Sequence, residues 1–507
     1  MIVLAENKLS IIIPAKNEAK LIGGIMKEVS KLKPFEIIVV DNGSRDNTKE
    51  IVKQLGGRVI EYPYPLGRNV PRAIGAYYAK GDIFLFIDGD QVISSDKLKP
   101  FIQAIEEGAD VTLNDFRYVL KQKRRPHCTA VARKGLNLFL NKEEHDIDSY
   151  VSIPHAMNRK ALETIGWWNL AETGVAIAKT FMSDLKVESP IAINVLRKNA
   201  RRPGARIRAK TSPFAITHDE ILGDHVLGLH CLIRQKGVRG GFLDDRNAAI
   251  STVNKETPTL GKTKSKRSAV IVTTKGRGKS VPSLISRLET AKVNEIVIVT
   301  DQTIDSYSEM KKNKKVKVIK ISGSEGTYYE RFIAVQHVRG ENVLFLDGDF
   351  LLSTREINRF YKAVEGNTDL ALNDKGYLLG HYPMSSKTSI HYCLNILMKK
   401  PDLLNFSLTE YPHALSGRVL NHLQPEDLLK PPVAYVKALL SNFNVSAPQR
   451  IKTCEEDVIC DEIFFGDHLE AINLLIENTH EKGGFSDGKK FEAINELRKK
   501  EEENEST

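Results

Sequence analysis

Two aspartates one residue apart, Asp88 and Asp90, close the apolar run "DIFLFID" at 82–88, and Asp347 and Asp349 close "NVLFLD" at 342–347 in the same way. Like charges this close beside an apolar run repel each other and lose solvation. A divalent cation removes that cost. Mg²⁺ and Mn²⁺ take carboxylate and water oxygens, commonly through one or two protein carboxylates and the phosphates of a substrate. Gly89 between the acids lets a phosphate or sugar come close to the backbone. The plainer alternative, a solvated turn, has the strand context and the recurrence against it. A second constellation joins "PAKNE" at 14–18 to "VVDNGSRDNT" at 39–48. Asp41 ends an apolar run, so its carboxylate can accept hydrogen bonds from a nucleobase edge, while the residues after it are turn formers leading to a helix capped by Asp46 or Asn47. The alternative is a capped turn and nothing more.

These residues need a scaffold that brings chain ends together. "LSIIIP" at 9–14, "FEIIVVD" at 35–41, "GRVIEY" at 57–62 and "DIFLFID" at 82–88 are near-continuous hydrophobic runs, as expected of strands buried on both faces of a parallel sheet. Between the first two, residues 18–32 place Leu21, Ile22, Ile25, Met26 and Val29 on one helical face. The alternation predicts an α/β layered sheet, in which ligands bind beyond the carboxyl ends of the strands. Pro14, Asp41 and Asp88 all fall there.

The chain repeats itself. A shift of 259 residues carries 10–18 onto 269–277, 36–40 onto 295–299 and 112–115 onto 371–374; a shift of 258 carries "PHAMNRKAL" at 154–162 onto "PHALSGRVL" at 412–420. Later the shift is 243, pairing "GDH" at 223–225 with 466–468 and "GGF" at 240–242 with 483–485. The expectation is two tandem Rossmann-like α/β domains, each a mostly parallel sheet flanked by helices: 1–250, a polar basic linker at 251–268, 269–490, and a charged tail at 491–507.

Composition agrees and excludes some classes. The 507 residues exceed one ordinary domain; 41% are hydrophobic and 27% charged. No apolar run reaches the roughly 20 residues of a membrane span, and residues 1–18 lack the features of a secretory signal, so the expected location is cytoplasmic. Five scattered cysteines read as reduced thiols. A net charge of +10 favours anionic partners without choosing among them.

"PAKNE", "DNGSRDNT" at 41–48, "AKGD" at 79–82 and "DGD" at 88–90 resemble the family 2 glycosyltransferases of the GT-A fold, whose pattern is P-x-x-N-E, D-x-G-S-x-D-x-T, A-x-G-D and D-x-D. The resemblance is strong over 8–120 and loose over 150–250. It implies transfer of a sugar from a nucleoside diphosphate sugar, UDP- or GDP-linked, with Mn²⁺ or Mg²⁺ as Lewis acid on the leaving diphosphate. It also implies roles: Pro14, Ala15, Glu18 and Asp41 for the nucleoside; Arg72, Asp88 and Gly89 towards ribose and donor sugar; Asp90 and His225 for the metal. Glu172 falls where the family places its base, followed by Thr173 where the family has Asp. The alternatives are a helix-surface arginine for Arg72, a structural histidine for His225, and for Glu172 a helix-start glutamate favoured by the macrodipole. Between 197 and 210, seven Arg and Lys residues read as a basic loop able to close over a diphosphate or grip an anionic acceptor.

In the second copy Asp347, Asp349 and His468 persist. Asp41 falls on Thr300, Pro14 on Thr273, Glu18 on Arg277 and Glu172 on Lys430. The first copy is therefore the expected catalyst. The acceptor stays open among glycan, protein and modified DNA, with a homo-oligomer compatible. The competing reading is a non-catalytic scaffold binding sugar or nucleic acid.

Overall fold

The structure, a computed structural model, describes residues 8–121, 124–196, 207–208, 211–244, 246, 267–273, 278–301, 307, 309–322, 328–452 and 461–505. The basic stretch 197–206 with Lys210, the linker at 251–266, Arg277, Cys454 and Cys460 lie outside them. Two compact units form. Unit 1 takes the residues up to Gln235 together with those from Thr479 onward, and unit 2 takes Lys236–Asn478. The division thus falls elsewhere than at the expected 250 and 490: the last 29 residues group with the first unit, and the residues from Lys236 with the second.

Unit 1 is built on β1 (Leu9–Ala15), β2 (Glu36–Asn42), β3 (Arg58–Tyr62), β4 (Ile83–Phe86), β5 (Val111–Thr112), β6 (His155–Asn158) and β7 (Val187–Glu188). They form one sheet in the order β3-β2-β1-β4-β6-β5-β7. Only β6 runs against its neighbours. Helices α1 (Ile22–Ser30), α2 (Thr48–Gln54), α3 (Val70–Tyr78), α4 (Ser95–Glu106), α5 (Cys128–Phe139), α6 (Arg159–Ile165), α7 (Thr173–Met182) and α8 (Ile216–Lys236) accompany it. Ile11, Ile13, Val39 and Leu85 pack one sheet face against Ile22, Ile25, Met26 and Val29 of α1 and Leu98 and Phe101 of α4. The apolar runs read from sequence are these strands to within two residues. They form strands because both faces are covered, which suits continuous Ile and Val.

Unit 2 repeats the strand order with β8 (Arg267–Val272), β9 (Glu295–Thr300), β10 (Val316–Lys320), β11 (Asn342–Asp347), β12 (Leu370–Asn373), β13 (His413–Leu415) and β14 (Val445–Gln449): β10-β9-β8-β11-β13-β12-β14. Its helices are α9 (Val281–Thr290), α10 (Tyr329–His337), α11 (Thr354–Val364), α12 (Ser386–Leu397), α13 (Gly417–His422), α14 (Pro431–Leu440) and α15 (Glu462–Glu477). Strand β8 begins at Arg267, so the last two residues of the expected linker are strand. Helix α16 (Glu492–Glu505) is the expected tail, and it is ordered on unit 1: Trp167 Nε1 donates to Glu501 at 2.8 Å, and the Arg498 guanidinium stacks on Trp168 at 4.6 Å.

Strand pairing corrects one alignment. Phe86 pairs with Ile12 in unit 1, but Phe345 pairs with Val270 in unit 2. Ser10 Oγ donates to Glu36 and Ser268 Oγ to Glu295, so Ser268 is the counterpart of Ser10. The first strand is thus offset by 258 while its neighbours β2, β3 and β4 keep 259, and Pro14 corresponds to Val272 rather than Thr273. No helix among the described residues is long and apolar enough to cross a membrane.

Candidate active site

The loop after β1 is stitched to the loop after β2. Asn17 donates its amide to Ser44 Oγ at 2.9 Å and accepts from Arg45 N at 2.7 Å; Glu18 N donates to Thr48 Oγ1 at 2.8 Å and Ala19 N to Asp46 Oδ2 at 3.0 Å. The "NE" and "SRDNT" residues therefore hold two strand ends together. Asn47 occupies the cap position of α2 without a side-chain cap bond, and Asp46 instead accepts from Thr48 N at 3.2 Å.

Asp41 sits at the end of β2, paired with Ala15, and is buried. Its Oδ2 accepts from Ser44 N at 3.2 Å, while Oδ1 has no hydrogen-bond donor among the described residues. A buried carboxylate oxygen left in this way costs stability unless a ligand donates to it. Beside it, Asn42 fixes the loop after β3, accepting from Leu66 N at 2.6 Å and donating to Gly67 O at 3.1 Å.

Gly89 donates its amide to Pro14 O at 3.1 Å, and a Cβ there would lie 2.9 Å from that oxygen. Only glycine lets the acidic turn lie on the end of β1. Asp88 Oδ1 is 2.6 Å from the Arg72 guanidinium, which also donates to Asn69 Oδ1 at 3.3 Å and Tyr150 O at 3.2 Å. Arg72 is thus a buried clamp, not a helix-surface residue. Burial works against the charge of Asp88, but Arg72, seconded by Arg68, outweighs it and holds the carboxyl below its ordinary range. With 31% of its side chain accessible yet protein on most sides, Asp88 occupies a recess. Asp90, after it, is half-buried.

Arg68 escaped the sequence reading because "PLGRNV" looks like an ordinary turn. Its side chain reaches solvent although protein surrounds it on most sides; that crowding, followed by the neighbouring Arg72, lowers its affinity for a proton, against the pull of Asp88, Glu220 and Asp224. An accessible cation in a recess beside Asp88 suits a diphosphate.

Glu172 precedes α7, and its Oε1 lies 2.5 Å from Lys482 Nζ. Helices α7 and α8 cross where Cβ atoms on Gly174 and Gly228 would strike backbone at 1.9 and 2.5 Å. That crossing buries Asp224, which is bonded to Lys489 and is pushed up to about 6 by burial. His225 is fully buried. Its Nδ1 lies 2.6 Å from Ile221 O, Nε2 has no partner among the described residues, and burial lowers it to about 4. The charged groups acting on it are Arg133 and Lys489. Another donor set lies at the starts of α5 and α8, where His127, Cys128 and His218 offer ligand atoms within 4.8 Å of one another. For a hard cation the acidic turn of Asp88 and Asp90 supplies oxygen donors of the right kind.

Unit 2 differs at most of these points. Asp349 Oδ1 accepts from Gly278 N at 2.6 Å, and Asp347 Oδ1 accepts from Asp349 N at 2.9 Å. Arg331, the counterpart of Arg72, donates to Leu408 O, Thr409 O and Tyr411 Oη at 2.6–2.9 Å. Thr300 replaces Asp41, and Lys430, in place of Glu172, binds Glu470 at 2.8 Å. His468 repeats the burial of His225, with Nδ1 on Phe464 O at 2.7 Å.

One pH effect follows. Burial, then Arg72, lowers His155 to about 3. Unfolded imidazole titrates near 6.5, so between pH 6.5 and 3 the unfolded chain binds a proton that the folded one refuses, and stability falls as pH falls through that window. Asp148 and Asp224, raised to about 6 by burial, act with the opposite sign between pH 6 and 3.8. In denaturant titrations from pH 7 to 4, His155→Gln is expected to flatten the acid-side slope by up to one proton, about 1.4 kcal/mol per pH unit.

A model of the family described as Glycosyl transferase family 2 matches residues 10–166 and 269–375, just over half the chain. Among curated proteins, the 4,4'-diaponeurosporenoate glycosyltransferase of Staphylococcus haemolyticus is 33% identical over 104 residues, 19% of this chain and 28% of that protein. The GalNAc(5)-diNAcBac-PP-undecaprenol beta-1,3-glucosyltransferase of Campylobacter jejuni is 32% identical over 109 residues, 20% of this chain and 35% of that one. The match thus spans about a third of these relatives' length. Among solved structures, glucosyl-3-phosphoglycerate synthase from Mycobacterium tuberculosis in complex with Mn²⁺, UDP and glucosyl-3-phosphoglycerate matches at 19% identity and a TM-score of 0.33, over 47% of this chain and 82% of that one.

Proposed function

The chain belongs to glycosyl transferase family 2, and from that premise we propose that unit 1 moves a sugar from a UDP- or GDP-linked donor to an acceptor hydroxyl, while unit 2 does no transfer. The observation that carries this is the Arg72–Asp88 clamp at the strand ends beside the unpartnered Oδ1 of Asp41, against the redirected Arg331 and the Thr300 of unit 2.

Asp41 Oδ1 accepts from an N–H of the nucleobase. Asp88, oriented by Arg72, receives hydroxyls of the ribose and sugar, and Arg68 faces the diphosphate. Asp90 would hold a Mn²⁺ or Mg²⁺, which would supply charge neutralisation of the leaving diphosphate. Glu172 takes the acceptor's hydroxyl proton as that oxygen bonds to the anomeric carbon; the bond from that carbon to the diphosphate oxygen breaks, and its electron pair leaves with the nucleoside diphosphate. The acceptor is a glycan, a protein side chain or a modified nucleic acid, and catalysis takes place in the cytoplasm. Unit 2, with its acidic turn tied to its own backbone, suits acceptor binding or pairing of two chains.

Both tryptophans, Trp167 and Trp168, lie in unit 1, so their fluorescence reports its melting alone. With UDP or GDP and Mn²⁺ at a hundredfold excess over Kd, stabilisation of roughly 2.7 kcal/mol is expected, abolished by chelator or by Asp90→Ala and kept by Asp349→Ala. Loss with Asp349→Ala alone would move the donor site to unit 2. If no nucleotide binds, the scaffold reading takes the lead.

A further inference from the structure

The partner of Glu172 comes from 310 residues away. Lys482 bonds Glu172 and Asp487 together, and Lys489, with no exposed side-chain surface, bonds Asp224. Gly488 lies against Glu220, where a Cβ would meet Oε1 at 2.7 Å. Lys490 N donates to Leu66 O at 2.9 Å, on the loop that Asn42 fixes beside Asp41. One stretch of nine residues therefore runs from the candidate base to the nucleoside side of the recess.

The sequence holds this stretch twice. At the shift of 243, Lys482, Asp487 and Lys489 fall on Arg239, Asp244 and Arg246. In unit 2 these three form the same clasp: Arg239 lies 2.7 Å and Arg246 2.5 Å from Asp467, the counterpart of Asp224, and Asp244 binds Arg246 at 2.8 Å. Each clasp thus closes on the "GDH" helix that it does not follow in the chain. The two clasps differ in one respect. Arg239 meets the acids Asp467 and Glu470, because Lys430 stands where unit 1 has Glu172. Only the clasp of unit 1 reaches a candidate catalytic carboxylate.

We propose that the segment 482–490 is a working wall of the unit 1 site, and that Lys482 is a positioning residue holding the Glu172 carboxylate where it receives the acceptor's proton. This rests on Glu172 being the base. A long lysine bonded to both Glu172 and Asp487 restricts the carboxylate to one orientation.

The test follows release of nucleoside diphosphate from UDP-glucose and GDP-mannose with Mn²⁺, over a panel of sugar, peptide and oligonucleotide acceptors, in the full chain. Lys482→Met is expected to lower kcat at least tenfold with donor KM unchanged, at a temperature where tryptophan fluorescence shows the variant folded, Lys482→Arg to restore most of it, and Arg239→Met to leave it as in the wild type. If Glu172→Gln abolishes turnover while Lys482→Met keeps it, Lys482 is structural and the proposal falls, with the base reading intact. If Glu172→Gln turns over normally, or the wild type turns over neither donor, the base reading fails and takes the proposal with it.

Discussion

An Asp88→Asn chain is expected to turn over its donor about a hundred to a thousand times more slowly than the wild type, the range for losing one pre-set electrostatic contact in an active site. Asp347→Asn should leave turnover unchanged. The contrast rests on the arginines: Arg72 is spent on Asp88, whereas Arg331 is spent on carbonyls and a tyrosine. Asp88→Asn also strips a buried guanidinium of its counter-ion, so a folding defect must be separated from a chemical one. Tryptophan fluorescence does so, and Arg72→Met/Asp88→Asn removes the stranded charge. If the double variant melts like the wild type and remains inactive, the loss is chemical. Equal losses from Asp88→Asn and Asp347→Asn would make both units catalytic.

Lys489→Met is expected to cost about 3–5 kcal/mol of unit 1 stability, because Asp224 would remain as an uncompensated buried charge. Against a typical total of about 5–15 kcal/mol this is a large share. The deficit should grow with pH. Burial already raises Asp224 to about 6 with its lysine in place, and without it the carboxyl holds its proton to still higher pH, so the variant is hurt least where Asp224 is neutral. Unfolding in urea at pH 5 and pH 8, followed by tryptophan fluorescence, gives the two values. Adding Asp224→Asn should recover most of the loss, since no buried charge then remains. A deficit independent of pH would assign the effect to packing.

What the sequence shows and hides has a physical pattern. The strands and the acidic turns were legible because they are local: buried strands demand unbroken Ile and Val, and the turn follows directly. The first-strand register was not, since one apolar run slides along another by a residue without changing the pattern; the Ser10–Glu36 and Ser268–Glu295 bonds fix it. Arg68 and the Glu172–Lys482 pair were hidden because their meaning lies wholly in what they touch. The recurrence of "GGF" at the shift of 243 was the visible trace of the two clasps, yet nothing in it tells which unit each one joins.

The seating of Lys482 and Lys489 in unit 1 also sets an order of events during synthesis. The unit 1 sheet can form as soon as its strands leave the ribosome, but Asp224 meets its cation only after the whole of unit 2 has been translated. At about 5–20 residues per second, that delay is roughly ten to fifty seconds. Throughout it, Asp224 waits for Lys489 and Glu172 for Lys482, so the first unit completes its buried ion pairs only when synthesis is nearly over.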